Sequence, residues 1–569
     1  MKNSSTLKLL ALWLIPVLFL GVFFFFPLSA ILRYSLGRSQ TGLLSPFLEA
    51  IRSAYLWKIL WFTIWQAVLS TLFTLLIGLP GAYLFARYQF PGKTLLQALS
   101  SISFVMPTLV VAVAFDSLLG PHGWINLGLM SLLDLSAPPI TFSNTLVAIL
   151  VAHVFFNTTI VLRMVGDFWS HLDPRLEQAA QTLGANRWQA LRHVTLPLLM
   201  PAVLSAALLV FIFDFTSFGV ILLLGGPRFA TLEVEIYYQT ISLFNLPLAA
   251  TLAVVQLGLT LALMVTYSHL STRLSRPLNL KPRTYAQRKL RTWPERLFGL
   301  IVVSVLIGLL VTPLLALAFR SFTRLQPERG LRQVTQSGLT LDFYNELSIN
   351  RRESLFFAPP STAILISLGY AFTTVLFSLV LGLPASLAQT RSSGSWINKI
   401  LDPIVMLPLG TSAVTLGLGF ILAFNAPPLN LLTSPLLIPL AHTLVALPFV
   451  IRSLVPAFRS IQPRLRQAGQ VLGANPIQVF LKIDFPLIAR AILVAATFAF
   501  TISLGEFGAT ALVARPEYPT IPIAIYRLIG QPGAINYGQA LALSTILMLV
   551  CAAGMLAIER IRIADIGEF

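Results

Sequence analysis

Twelve apolar runs, each long enough to cross a bilayer, constrain this chain more than any other feature it has. A spanning helix needs roughly 20 mostly apolar residues, because no backbone polar group can go without a partner in hydrocarbon. Such runs lie near 9–31, 59–85, 95–119, 145–164, 198–224 and 246–268, and again near 297–319, 361–389, 397–423, 437–455, 487–512 and 536–558. Many of the 37 prolines and 34 glycines fall inside them, as membrane helices tolerate and soluble helices generally do not. Charged residues make up 11% of the 569, against about a quarter in a soluble globular protein, which excludes a soluble enzyme. A net charge of +18 would suggest nucleic acid in a soluble protein. Here the basic residues cluster in short loops between apolar runs, so the expected surroundings are membrane lipid, with no nucleic-acid partner. The first run follows Lys2 and Lys8, is too long for a signal-peptide core, and reads as a retained helix. The expected fold is all-α, a polytopic membrane protein of about 12 transmembrane helices.

Orientation follows from lysine and arginine in short loops. Residues 271–297 carry Arg273, Arg276, Lys281, Arg283, Arg288, Lys289, Arg291 and Arg296 against a single acid, Glu295. Loops near 165–197 and 456–490 are also basic, whereas those near 120–144 and 424–436 contain no lysine or arginine. Both termini and the central linker are therefore expected on the cytoplasmic side of a bacterial plasma (inner) membrane. The loop 320–360 opposes this with several arginines, diluted by Asp342, Glu346 and Glu353.

The chain repeats itself. Residues 174–186 (PRLEQAAQTLGAN) return as 463–475 (PRLRQAGQVLGAN), identical at ten of thirteen positions with an offset of 289. Without a gap, that register also pairs His153 with His442, Arg163 with Arg452, Pro197 with Pro486, Phe218-Gly219 with Phe507-Gly508, and Ile236-Tyr237 with Ile525-Tyr526. Upstream, Gly78-Leu79-Pro80 echoes Gly382-Leu383-Pro384. Two homologous six-helix halves are expected, 1–270 and 297–569, joined by a basic cytoplasmic linker at 271–296. Because each half has an even number of spans, the copies share one topology and suit a pathway between them.

The repeated loop joins the fourth and fifth spans of each half, at about 166–197 and 455–486. It reads as a helix, a turn at Gly184 or Gly473 where positive φ is useful, a second short helix, and a proline stop at Pro197 or Pro486. A basic-side loop duplicated with its turn chemistry intact reads as a docking surface for a partner.

These residues resemble the EAA loop of binding-protein-dependent ABC importer permeases. Gln178-Ala179-Ala180, Gly184 and the Val194-Thr195-Leu196-Pro197 ending carry the resemblance in the first copy, and Gln467-Ala468-Gly469, Gly473 and Ile483-Asp484-Phe485-Pro486 in the second. In both, Gln replaces the family's Glu; Glu177 precedes the first copy and Arg466 the second. Fusion of both halves in one chain is similar to the ferric-iron and thiamine (thiamine pyrophosphate) permeases. Segments such as Ala152–Asn157, Ser217-Phe218-Gly219, Thr231–Tyr237 and Ser503–Gly508 are similar to the thiamine group. The resemblance implies docking of a cytoplasmic ABC ATPase dimer on the two loops, an extracytoplasmic substrate-binding protein, and alternating-access uptake of thiamine or its phosphates, with ferric iron as the alternative substrate.

No Gly-x4-Gly-Lys-[Ser/Thr] occurs, so the chain has no phosphate-cradling loop. It is expected to be no enzyme and to bind no cofactor, with ATP and Mg used by the partner. A proton-coupled secondary transporter would also have twelve spans in two halves, but would not need a duplicated docking loop. No metal site is expected: there is one cysteine, Cys551, and the histidines are scattered, with His153 and His442 read as packed against neighbouring helices rather than as ligands. Asp116, Asp214 and Glu506 fall in apolar runs, where carboxylates are expensive. Asp116 reads as interfacial. Asp214 and Glu506, in equivalent fifth helices beside Phe218 and Phe507, are candidates for an acidic, aromatic-lined pathway suited to a cation, or for bonds to neighbouring helices.

Overall fold

The computed structural model describes residues 2–36, 52–274, 287–324, 338–349, 359–391, 395–427 and 429–566. Arg276, Lys281 and Arg283 of the linker, and Glu353 with most of the loop 320–360, lie outside them. Among the described residues, eleven helices are long and apolar enough to cross a membrane, and the bent pair Trp396–Gly410 and Ala413–Ala423 makes a twelfth if counted as one span. The expected all-α polytopic architecture is what forms. Strand pairing among the described residues is a two-residue parallel ladder, Tyr88 opposite Arg288 and Gln89 opposite Lys289.

Two sequence-level expectations are corrected by backbone chemistry. The apolar run expected to be the third span of each half divides into two helices. Lys93–Val105 stops before Pro107, and Thr108–Leu119 starts after it. In the second half the break, of 98°, follows Pro408, and Ser412 caps the new helix by accepting from the Val414 and Thr415 N–H groups. Proline lacks an N–H and pushes its predecessor out of helical geometry, so the run cannot stay straight. Pro197 and Pro486, by contrast, do not stop their helices. Trp188–Phe215 and Pro476–Gly505 each run through as one span. Each proline follows a wide π turn, Leu191–Thr195 or Phe480–Asp484, which holds the carbonyl four residues earlier that a straight helix would press against the ring.

The second and fourth spans of each half cross where Gly78 and Gly382 lie. A Cβ on Gly78 would meet the Val161 Cβ at 2.7 Å, and one on Gly382 the Val450 Cγ1 at 2.6 Å. Val161 and Val450 are repeat mates, so the Gly-Leu-Pro echo marks one conserved crossing in the two copies, built as membrane helices build close contacts, with a small residue at the interface. We predict that Gly78→Ala lowers the thermal unfolding midpoint of the detergent-purified protein, by overpacking worth about 1–3 kcal/mol. Gly382→Ala should cost less, because a terminal methyl can rotate away and a Cβ cannot. Equal midpoints for Gly78→Ala and the parent would refute the crossing.

The chain forms two compact units, and they are not the two sequence halves. One comprises Met1–Ala50, Glu235–Leu257 and Leu325–Phe569; the other, Ile51–Val234 and Gly258–Arg324. In the first unit, Ala446, Val450, Leu454, Phe458 and Ala495 form a core joined by Leu12 of the first span. Trp13 Nε1 donates to Asn398 Oδ1 at 2.9 Å, and the Phe23 and Phe26 rings lie 5.8 and 5.9 Å from Phe424. In the second unit, Ala82, Val161, Val165, Ala206 and Val210 form the core. Phe298 and Phe319, from the span that opens the second half, lie 5.8 Å from Tyr83 and 5.3 Å from Trp124. Each half's first span thus packs in the unit built on the other half. Packing divides the chain elsewhere than at 270 and 297, because an apolar helix face carries no address for either copy.

Candidate functional site

Each repeated loop folds as helix, turn and helix. The first helices are Arg175–Thr182 and Pro463–Val471. Both end in a Schellman turn: Gly184 N–H donates to Gln181 O at 3.0 Å and Ala185 N–H to Ala180 O at 3.1 Å, and Gly473 N–H donates to Gln470 O and Ala474 N–H to Gly469 O, both at 3.0 Å. The turn needs a left-handed residue, and φ is +94° at Gly184 and +83° at Gly473. A capping box opens the next helix in both copies, Asn186 with Gln189 and Asn475 with Gln478, each pair exchanging side chain to backbone bonds of 2.8–2.9 Å. The result presents apolar side chains outward. Leu183 is 89% exposed, Leu472 87% and Trp188 67%, with Val471 and Ile477 beside them. Exposed apolar side chains gathered on a polar loop mark an interaction surface.

What holds each loop helix was not legible from the motif. Glu177 faces inward, accepting from Arg87 Nη2 at 2.8 Å and from the Thr195 hydroxyl. Arg87 ends the second span and Thr195 lies in the π turn before the fifth. In the second copy the same three places hold Arg391, Arg466 and Asp484. Arg466 Nε donates to Asp484 Oδ1 at 2.7 Å, and Arg391 Nη2 lies 3.6 Å from Asp484 Oδ2. The carboxylate has moved from the loop helix to the fifth span, and an arginine has taken its place. Both copies tie the loop helix to the second and fifth spans, with opposite polarity. A sequence signal existed: the repeat register places Arg466 on Glu177 and Asp484 on Thr195, a compensating exchange. Gln178, Ala179 and Gln467, Ala468 lie on the same loop helices, with Ala180 and Gly469 as turn acceptors.

A second paired constellation lies where the fifth span breaks. The first copy ends at Phe215 and restarts as Gly219–Leu224; the second ends at Gly505 and restarts as Gly508–Val513. His153 Nε2 pairs with Ser217 Oγ at 2.8 Å, and its Nδ1 lies 3.5 Å from Asp214 Oδ1, which also accepts from Asn157 Nδ2 at 2.6 Å. His442 bonds Ser503 Oγ and Thr510 Oγ1, both at 2.8 Å, and its Nε2 lies 3.2 Å from Glu506 Oε2. Glu506 also accepts from the Ala509 and Thr510 N–H groups, capping the short helix. Again acid and hydroxyl change places, Asp214 and Ser217 in one copy against Ser503 and Glu506 in the other. His153 joins the end of its fifth span to the break, and His442 clamps both sides of its own. Asp214, Phe218, Glu506 and Phe507 are all buried. Each acid is partnered within its own compact unit, which is the neighbouring-helix arrangement; Asp116, expected at an interface, accepts from Ser143 Oγ at 2.7 Å. No group of three or more His, Cys, Asp or Glu suited to a metal occurs among the described residues.

The described residues form a bundle of membrane-length helices that carries one helix–turn–helix loop twice. The chain belongs to the family described as binding-protein-dependent transport system inner membrane components, whose model matches it twice, over residues 74–276 and 378–562. It is an ABC importer permease with both copies fused, a multi-pass inner-membrane protein of a family that is not itself enzymatic. It is 30% identical over 512 residues to a thiamine transport system permease protein of Brucella abortus (strain 2308), covering 89% of this chain and 88% of that one. The thiamine transport system permease protein of Escherichia coli (strain K12) is 28% identical over 524 residues, 90% of each chain. A probable ABC transporter permease protein of Sinorhizobium fredii is 25% identical over 557 residues, 96% of this chain and 95% of that one. The family matches begin inside each half's second span, leaving out the first spans that pack in the other unit.

Proposed function

We propose that this permease imports thiamine or its phosphates. Support comes from relatives named for thiamine transport that align over about nine tenths of both chains. In this reading the loops at 175–190 and 463–479 face the cytoplasm with both termini, and each docks one protomer of an ABC ATPase dimer through the exposed Leu183, Trp188, Val471, Leu472 and Ile477. ATP and Mg are used by that partner, not by this chain. A binding protein delivers substrate on the opposite face, and closure of the ATPases rocks the halves between two openings. Asp214 and Glu506 act through His153 and His442, holding the break of each fifth span, while Phe218 and Phe507 border the path.

The test is uptake by the permease co-expressed with its ATPase and binding protein in inverted pairs of assays, labelled thiamine and ferric iron in parallel, normalised to inserted protein. We expect ATP-dependent thiamine uptake and none of iron above the transporter-free background. Iron uptake without thiamine uptake would overturn the substrate and leave the permease class standing.

A further inference from the structure

The second span of each half is held at both ends. At one end, Arg87 of the helix Ala54–Arg87 pairs with Glu177 of the first repeated loop, and Arg391 of Pro360–Arg391 with Asp484 of the second. Toward the other end stand Thr63 and Ser367, both buried. Leu232 N–H donates to Thr63 Oγ1 at 3.2 Å, and Ile521 N–H to Ser367 Oγ at 2.8 Å. These amides open the short helices Leu232–Tyr237 and Ile521–Ile529, which follow the break of each fifth span. Thr63 and Arg87, like Ser367 and Arg391, stand 24 positions apart. That is about 36 Å of helix, enough to cross the hydrocarbon of a bilayer. Each copy's bonds lie within a single compact unit.

The fifth span leaves the repeated loop but is interrupted between Phe215 and Gly219 in the first copy and between Gly505 and Gly508 in the second. Its helix therefore does not carry a movement of the loop past the break. The second span is one continuous helix from arginine to hydroxyl. It also grips the near side of each break: Gln66 Nε2 donates to Asp214 O at 2.8 Å, and Ser503 Oγ to Thr374 Oγ1 at 3.2 Å. Asp214 and Ser503 are repeat mates, so the same place is gripped twice. The threonine before each short helix, Thr231 or Thr520, stands where a hydroxyl ordinarily caps a helix. Both hydroxyls are buried and have no hydrogen-bond partner. The start of each short helix is held by the second span and not by its own cap.

We propose that each second span is the rod that carries movement of its repeated loop to the segment beyond the break, with Thr63 and Ser367 as the positioning residues at its far end. The proposal rests on the reading of the repeated loops as ATPase docking surfaces. A continuous helix tied at both ends moves its two attachments together. Without the hydroxyl, the loop stays anchored and the short helix no longer follows it.

The test follows amide hydrogen exchange in the assembled permease and ATPase, nucleotide-free and trapped with ATP and vanadate. Peptides covering 175–190 and 463–479 report the loops; those covering 231–237 and 520–529 report the short helices. In the parent protein, trapping should change exchange in both. Thr63→Val should keep the response of the first loop and cut that of 231–237 about fivefold, the worth of one neutral hydrogen bond. Ser367→Ala should do the same at 520–529. Thr63→Ser and Ser367→Thr keep a hydroxyl and should restore the response. Thr231→Val and Thr520→Val remove hydroxyls that have no partner and should leave it unchanged; equal losses there would overturn the assignment to the second span. A purely structural role predicts less protein, with both responses kept. Short helices that respond as in the parent after loss of Thr63 or Ser367, or that do not respond in the parent, overturn the rod. Should Thr63→Val not accumulate, Ser367→Ala, the smaller change, decides alone. Exchange is read without solute, so the substrate assignment does not enter. An ATPase that fails to co-purify with the parent protein overturns the docking reading itself, before any exchange is measured.

Discussion

Glu177→Arg is expected to uncouple the first docking loop, and adding Thr195→Asp to the same chain is expected to restore it. The single change removes an ion pair of 2.8 Å and sets a second guanidinium against Arg87, whose side chain is only 7% exposed. Leaving a nearly buried cation without its partner costs about 2–3 kcal/mol, the lower part of that range applying because Glu177 is 26% exposed and partly screened. If the loss falls on the docking-competent geometry, coupling drops by about ten- to a hundredfold. The double change recreates the arrangement the protein already uses in its second copy, Arg391 and Arg466 around Asp484. Uptake per inserted molecule and co-purification of the ATPase would both be measured. A double variant no better than the single would show that the two anchors are not interchangeable, and a single variant equal to the parent would show that the anchor does not position the loop. The outward-facing residues of the loop are untouched in all three proteins, so a change in docking reports position alone.

Gly184→Pro and Gly473→Pro should each abolish coupled uptake while leaving membrane insertion intact. Proline demands φ near about −65°, the opposite sign from the values of +94° and +83° held here. It also removes the N–H that donates at 3.0 Å to Gln181 or Gln470. Nothing lies within 4 Å of a Cβ built at either glycine, so the penalty is one of backbone geometry and not of crowding. Alanine, which keeps the N–H, should lose about 1–2 kcal/mol through left-handed strain and reduce uptake by a few- to tenfold. Proline variants that hydrolyse ATP and transport at parental rates would remove the docking role from these turns.

The turns of the repeated loops were legible because their chemistry is local. A Schellman glycine and an Asn-x-x-Gln capping box fix a turn through residues adjacent in sequence, and the repeat shows the same solution twice. The partners of Glu177 were not legible from the motif, since Arg87 is 90 residues away and reaches it only through the packing of the second span. The same holds for Asp214 and Glu506. Sequence showed two expensive carboxylates in equivalent helices. The repeat register already pairs Asp214 with Ser503 and Ser217 with Glu506, but it did not show that His153 and His442 stand between acid and hydroxyl in each copy.

Sequence by itself determined that this is a helical membrane protein, where most spans run, that the chain is duplicated, and which loops are repeated on one side. Hydrocarbon imposes these features residue by residue, because a span must satisfy its own backbone wherever it ends up. Tertiary structure decided which unit each first span joins, how the runs at 95–119 and 397–423 divide, and which side chains hold each repeated loop. Lipid-facing and protein-facing surfaces are both apolar, so hydropathy cannot select a partner; close packing at positions such as Gly78 and Gly382, and hydrogen bonds such as Trp13 to Asn398, make that choice.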